Sequence, residues 1–243
     1  MKKEWRICKK TEAGISHARN KKGCDDQLCI RETEEMLIAV LADGAGSRSH
    51  AAEGAKLVVD HLADWLEVEF DHMVDLEEKK AEREILSHLV SILEKKSQEE
   101  AIEMKEFAST LIFAAVKGPR YLFGNLGDGV IGYQKASDHW VICGPEHGRL
   151  PGETVFVTST WKLDRLHLRI GSGVITRVVM MTDGVAEIWY DEKEKAMKPE
   201  VEQAFYQIEM GKERTENQAE RFLHEIQKEV WDDIGFILIS GRK

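Results

Sequence analysis

Six apolar residues in succession, Met36 to Leu41, run into Ala42-Asp43-Gly44-Ala45-Gly46-Ser47 and then into the stretch Ala51 to Glu69. An uninterrupted apolar run of this length suits a buried strand. In the stretch that follows, Leu57, Val58, Leu62, Trp65 and Leu66 share one helical face. The chain therefore leaves a strand, turns on two glycines and enters a helix, with Asp43 where the strand ends. Glycine lets a backbone approach another atom closely. An Asp followed by glycines can thus offer a carboxylate and a bare carbonyl to one metal ion. The competing reading is a strand-to-helix turn with Asp as a local hydrogen-bonding residue.

Elsewhere the apolar period changes along the chain. Glu4 to Lys10 and Leu28 to Thr33 read as strands, joined by a polar loop that ends in Asp25-Asp26. A second amphipathic helix is expected over Ala81 to Glu100, with Asp71 to Lys80 as a charged helix end or connection. Phe107 to Val116, Tyr121 to Leu126, Val130 to Gln134 and Trp140 to Cys143 read as short strands of an antiparallel meander. Gly152 to Ser159 reads as a further strand and Arg177 to Met181 as another, ending at Thr182-Asp183-Gly184. Val185 to Tyr190 opens a helix, Asp191 to Lys198 is charged, and Val201 to Met210 and Glu216 to Val230 are helical. Trp231-Asp232-Asp233 leads into a last strand, Ile234 to Ser240. Short strands with tight turns point to antiparallel sheets, not to a wound βαβ sheet.

Composition narrows the classes of function. With 243 residues, 42% hydrophobic and only 4 prolines, one domain over residues 1–243 with a sizeable core is expected. The formal net charge of −10 disfavours a nucleic-acid surface, which needs a basic stripe. No apolar run approaches a membrane span, and the basic N-terminus lacks the apolar segment of a signal peptide. Cys8, Cys24, Cys29 and Cys143 form neither a CxxC pair nor a zinc spacing. A cytoplasmic protein with reduced thiols and no membrane or nucleic-acid partner is the expectation.

Aspartates recur at the ends of the expected elements. Asp26 starts a strand, Asp43 and Asp183 end strands, Asp128 sits in a turn, and Asp232 precedes the last strand. Each has a local explanation: Asp128-Gly129 makes a good two-residue hairpin turn, Asp183 can cap a helix, and Asp232-Asp233 can be a turn. One account covers them together. Facing sheets would bring the carboxylates to one edge, where they bind hard divalent cations.

The pieces ADGAGS at 42–47, FGNLGDG at 123–129, MTDGVAE at 181–187 and WDDIGFILIS at 231–240 resemble, in order and spacing, the metal-dependent protein serine/threonine phosphatases of type 2C, the PPM family. The loop GISHARNKKGCDDQ, with GETVFVTS, is most similar to a bacterial branch in which Ser-His precedes a Cys-x-Asp segment. The resemblance implies an α+β fold, a four-layer α-β-β-α sandwich of two stacked antiparallel sheets flanked by helix pairs. It also implies two Mn²⁺ or Mg²⁺ ions and a position for a weaker third. Carried over by motif, Asp43 would bridge the two ions and the Gly44 carbonyl would bind the second. Asp183 and Asp232 would hold the first. Asp26 would anchor waters on the second, with Asp25 in the acidic position before it, and Asp128 matches the third-metal position. Two such ions can activate a water and clamp phosphoryl oxygens for in-line attack.

The implied activity is hydrolysis of phosphoserine or phosphothreonine in proteins, with Asp43, Asp26, Asp183 and Asp232 as its catalytic aspartates. The partner would be a serine/threonine kinase or its signalling targets. The chain departs from the family at three points. Many eukaryotic members carry a His, a proposed general acid, where this chain has Ala45, and Gly235 stands where Ser or Thr is common. The family's phosphate-binding Arg has no definite counterpart: Arg19, Lys21 and Lys22 all lie in the right loop. His17, in that same loop, is a candidate proton donor or a plain surface residue. A non-catalytic binding module on the same fold is the alternative function, and hydrolysis of a small phosphorylated metabolite a third.

Overall fold

The computed structural model describes residues 4–15, 17, 23–136, 139–145, 154–159, 165–211, 215–228 and 230–241. The first two strands are β1 (Trp5–Glu12) and β2 (Gln27–Glu32), followed by β3 (Met36–Ala42). Two long helices come next, α1 (Ala51–Met73) and α2 (Glu78–Glu100). The middle of the chain supplies β4 (Leu111–Lys117), β5 (Arg120–Leu126), β6 (Val130–Lys135) and β7 (Trp140–Cys143). After them lie β8 (His167–Ser172), β9 (Ile175–Met181), the short α3 (Asp183–Trp189) and a small hairpin, β10 (Tyr190–Asp191) with β11 (Ala196–Met197). The chain continues through α4 (Pro199–Met210) and α5 (Thr215–Ile226) to β12 (Ile234–Gly241).

The long strands form two antiparallel five-stranded sheets, ordered β1-β12-β9-β6-β7 and β2-β3-β4-β5-β8. The period-2 alternation of each strand decides what lies on its faces. In β3, Leu37, Ala39 and Leu41 enter the core between the sheets, while Met36, Ile38, Val40 and Ala42 enter the core beneath α1 and α2. In β12, Ile237 and Ile239 face the other sheet, while Phe236 and Leu238 meet α4 and α5. The expected four-layer α-β-β-α sandwich is the observed one. A strand buried on both faces needs apolar residues at every position, so these strands read as runs.

Several expected boundaries moved. The helices run longer than their apolar periodicity, α1 to Met73 and α2 from Glu78, because charged residues extend their solvent faces. The strand expected from Phe107 begins at Leu111, and Met104–Phe107 is a single 3₁₀ turn that buries Phe107. Gly127-Asp128-Gly129 is not a hairpin: β5 and β6 belong to different sheets, and the segment crosses between them. Within the expected strand at 152–159, Val157–Ser159 forms a 3₁₀ turn, and Gly152 and Glu153 lie outside the described residues. Absent from the sequence reading are the edge strand β8, which is largely solvent-facing, and the hairpin of the two-residue strands β10 and β11, neither of which carries an apolar run. None of the four cysteines forms a disulfide, and burial is the main cause pushing the Cys8 and Cys24 thiols up.

Candidate metal centre

Strand register gathers the aspartates. Gln27 pairs with Ala42, so Asp26 and Asp43 leave neighbouring strands at the same end of one sheet. Met181 pairs with both Phe236 and Val130, so Asp183, Asp232 and Asp128 gather at the adjoining end of the other sheet. Carboxylate oxygens of Asp43, Asp128 and Asp183 lie within 4.8 Å of one another. Asp26 lies beneath them at 1% exposure. Asp232 is exposed beside Gly184, and its charge acts on both Asp43 and Asp183.

The loops are held rigidly. The Asp43 amide donates to the Thr110 hydroxyl at 3.0 Å, and the Thr110 amide donates back to the Asp43 carbonyl at 2.8 Å. A Cβ on Gly44 would stand 2.8 Å from the Ala51 backbone and 2.9 Å from the Asp25 carbonyl, so only glycine fits this turn. The buried Asn125 amide donates to the Gly127 and Gly129 carbonyls, at 3.3 and 3.1 Å, and shapes the crossing that presents Asp128. The Thr182 hydroxyl donates to Asp26 Oδ2 at 2.8 Å and accepts from the Gly235 amide at 3.0 Å, tying the two sheets together under the site. A Cβ on Gly235 would stand 2.7 Å from Asp26 Oδ2, which accounts for glycine at that position.

The rim disfavours the charge its own carboxyls carry. Burial is the largest cause raising the Asp26 and Asp43 carboxyls well above their ordinary range, and neighbouring aspartates add to it. Asp183 is pushed up to about 7, by burial first and then by the charges of Asp128 and Asp232. Among the described residues the buried Asp128 Oδ1 has no hydrogen-bond partner, while its Oδ2 accepts from the Thr154 hydroxyl. Gathered carboxylates with an orphaned oxygen fit a hard divalent cation, which takes oxygen ligands. A cavity of about 550 Å³ opens from Asp128 and Asp183 toward Glu187, Tyr190 and Glu192. A larger one, about 710 Å³, lies at the other end of the first sheet, where Arg177 pairs with Glu202 and Glu209.

The sequence expectations meet the structure unevenly. The structure brings Asp26, Asp43, Asp128, Asp183 and Asp232 to one rim, with Gly44 in the same turn. Arg19, Lys21 and Lys22 lie outside the described residues. Sequence reasoning passed over Thr182, Thr110 and Asn125, because a hydroxyl or amide inside an apolar motif carries no sign of its distant partner. It also passed over the role of Asp233. At 3% exposure this residue accepts from the Gly14 amide at 2.9 Å, the Asp25 amide at 2.6 Å and His17 Nδ1 at 2.8 Å. The doubled acid in Trp231-Asp232-Asp233 was the signal: one faces the rim and the other knots the loops behind it.

Acidic residues at strand ends converge on one rim of an αββα double sandwich, a donor set of the kind that a hard divalent cation would take. The sequence profile of the family described as Protein phosphatase 2C matches residues 13–225, and the chain belongs to that family. Serine/threonine-protein phosphatase 3 of Escherichia coli (strain K12) is 24% identical over 190 residues, covering 76% of this chain and 75% of that protein. Among solved structures, Stp1 from Staphylococcus aureus, a serine/threonine phosphatase, superposes with a TM-score of 0.65 at 18% identity, covering 100% of this chain and 96% of the other. The catalytic domain of the serine threonine protein phosphatase PstP, in complex with 2 manganese ions, gives a TM-score of 0.67 at 13% identity, covering 98% and 99%. Among the described residues, no helix is long and apolar enough to cross a membrane.

Proposed function

We propose that this chain is a metal-dependent protein phosphatase that hydrolyses phosphoserine and phosphothreonine, with phosphorylated signalling proteins, a serine/threonine kinase or its targets, as substrates. The observation that carries the reading is the convergence of the Asp43, Asp128 and Asp183 oxygens within 4.8 Å on a rim lined by raised carboxyls. Asp43 would contact two Mn²⁺ or Mg²⁺ ions, with the Gly44 carbonyl and Asp26 on the side of one and Asp183 and Asp232 on the side of the other. Asp128 would hold a third, weaker ion. When bound, these ions neutralise the phosphoryl oxygens and activate a water for in-line attack. The chain's own part is to hold the ligands in place. Thr182 orients Asp26, Thr110 pins the Asp43 backbone, and Asn125 fixes the turn bearing Asp128.

The test is hydrolysis of a phosphopeptide by chelator-stripped protein with and without Mn²⁺. Turnover should require the metal and fall below detection in Asp43→Asn, because one lost charge weakens two ions at once. Full activity in the stripped protein, or normal turnover by Asp43→Asn, would refute the mechanism. Ala45, where many relatives have a histidine, keeps a non-catalytic binding module as the second reading. A protein that binds Mn²⁺ and phosphopeptide but turns neither ester nor peptide over would establish that module.

A further inference from the structure

His17 stands beside the metal rim in an arrangement that the ligand set does not use. Asp233 is buried and accepts two backbone amides, from Gly14 and Asp25, besides the His17 ring. A carboxylate in that position only accepts, so Nδ1 carries a proton and donates it at 2.8 Å. The ring is thereby fixed in orientation, with its side chain 14% exposed. Its free nitrogen, Nε2, faces the Asp43 loop: a Cβ built on Gly46 would stand 3.7 Å from it. Gly46 lies two residues beyond Gly44, and in this loop Ala45 offers no group that can give a proton. A carboxylate that orients one imidazole nitrogen while the other faces the loop bearing Asp43 is the arrangement expected of a proton-transfer histidine.

We propose that His17, positioned by Asp233, donates the proton that the departing serine or threonine oxygen needs. The inference rests on the phosphatase reading. The donor is the imidazolium, with a proton on each nitrogen and its charge balanced by Asp233: as the bond from phosphorus to the alcohol oxygen breaks, its electron pair stays on that oxygen and the Nε2 proton passes to it. The attacking water supplies the new oxygen on phosphorus and gives a proton to solvent. The ring, left neutral, regains its proton from solvent.

Ester chemistry tests this. An alkoxide leaves poorly without a proton, whereas p-nitrophenolate leaves well without one. With saturating Mn²⁺, His17→Ala should lower kcat on a phosphoseryl peptide by roughly 10²- to 10⁴-fold, the usual worth of a positioned acid. On p-nitrophenyl phosphate kcat should fall by less than about threefold. Added imidazole should restore part of the peptide turnover of His17→Ala. His17→Asn, which keeps a donor for Asp233, should show the same split between esters without disturbing the loop. Equal losses on both esters, or no loss on the peptide, would overturn the assignment. So would loss of Mn²⁺ stabilisation in either variant, because His17 would then be a ligand. If the unaltered protein hydrolyses neither ester with Mn²⁺, the phosphatase reading falls first and this inference with it. If it hydrolyses both and the variants follow it, the inference alone falls.

Discussion

Asp128 shows how one side chain can satisfy two readings until its neighbours are known. Asp-Gly is a strong hairpin signal, yet here it joins strands of different sheets, and its Oδ1 is buried without a partner among the described residues. Asn would keep the shape and the bond from Thr154 but not the charge. Asp128→Asn should therefore leave the metal-free fold at least as stable as before, because it removes a charge that presses on Asp43 and Asp183. It should lower phosphopeptide turnover while leaving the tighter ions bound, as read by Mn²⁺ titration on the same preparation. Normal turnover at every metal concentration would return Asp128 to a purely local role. Gly235 is the opposite case, a position set by contact with Asp26. Adding one methyl group in Gly235→Ala should cost about 1–3 kcal/mol in denaturant unfolding and weaken Mn²⁺ binding, because Asp26 Oδ2 must shift. Unchanged affinity would mean that the carboxylate has room to move.

The ends of β9 and β12 do work that their interiors do not. Within the strands, ladder bonds and apolar faces secure the sheets, and no single contact decides the site. At the ends, Thr182 joins the first sheet to Asp26 of the second. Thr182→Val preserves volume but leaves the Gly235 amide and a buried carboxylate oxygen short of a partner. An unsatisfied buried group costs about 1–3 kcal/mol, so the loss of stability should fall in that range. The effect on Mn²⁺ affinity should exceed that of a core truncation in α1 with a similar loss of stability, such as Val59→Ala. If the two variants bind Mn²⁺ equally well, Thr182 serves packing alone.

For the molecule as a whole, the carboxylate rim sets the response to pH. Asp26 and Asp43 are raised well above their ordinary range and Asp183 to about 7. Between the ordinary carboxylate range, about 4, and about 7, the metal-free folded chain holds more protons than the unfolded one. Stability then falls as pH rises across that window: the contribution is full below about pH 4, and the part from Asp183 is lost as pH passes about 7. Metal binding needs the deprotonated ligands, and an ion at about 100 times its dissociation constant adds roughly 2.7 kcal/mol. Melting temperature in chelator should therefore fall from pH 5 to 8, while the gain on adding Mn²⁺ grows. Replacing Asp183 and Asp232 together by Asn should flatten both trends. Parallel curves with and without metal would place the ion elsewhere.

Much of this was legible along the chain. Apolar runs such as Met36 to Leu41 mark strands covered on both faces, and glycine beside aspartate at strand ends marks where backbone and carboxylate approach a common point. The order of those motifs carries the family resemblance, and with it the four layers and the ligands proposed above. The rest was not legible, because it depends on which distant groups meet. No local signal tells that β5 and β6 part into different sheets, since the Asp-Gly turn chemistry is the same for a hairpin and a crossing. Nor does the pair Asp232-Asp233 reveal which carboxylate faces the rim. The sequence alone determines which residues can form strands, helices and turns, because propensity and periodicity are local. The tertiary structure decides the partners of Thr182, Asp233 and His17, because hydrogen bonds across 156 and 216 residues exist only once register and packing have brought their ends together.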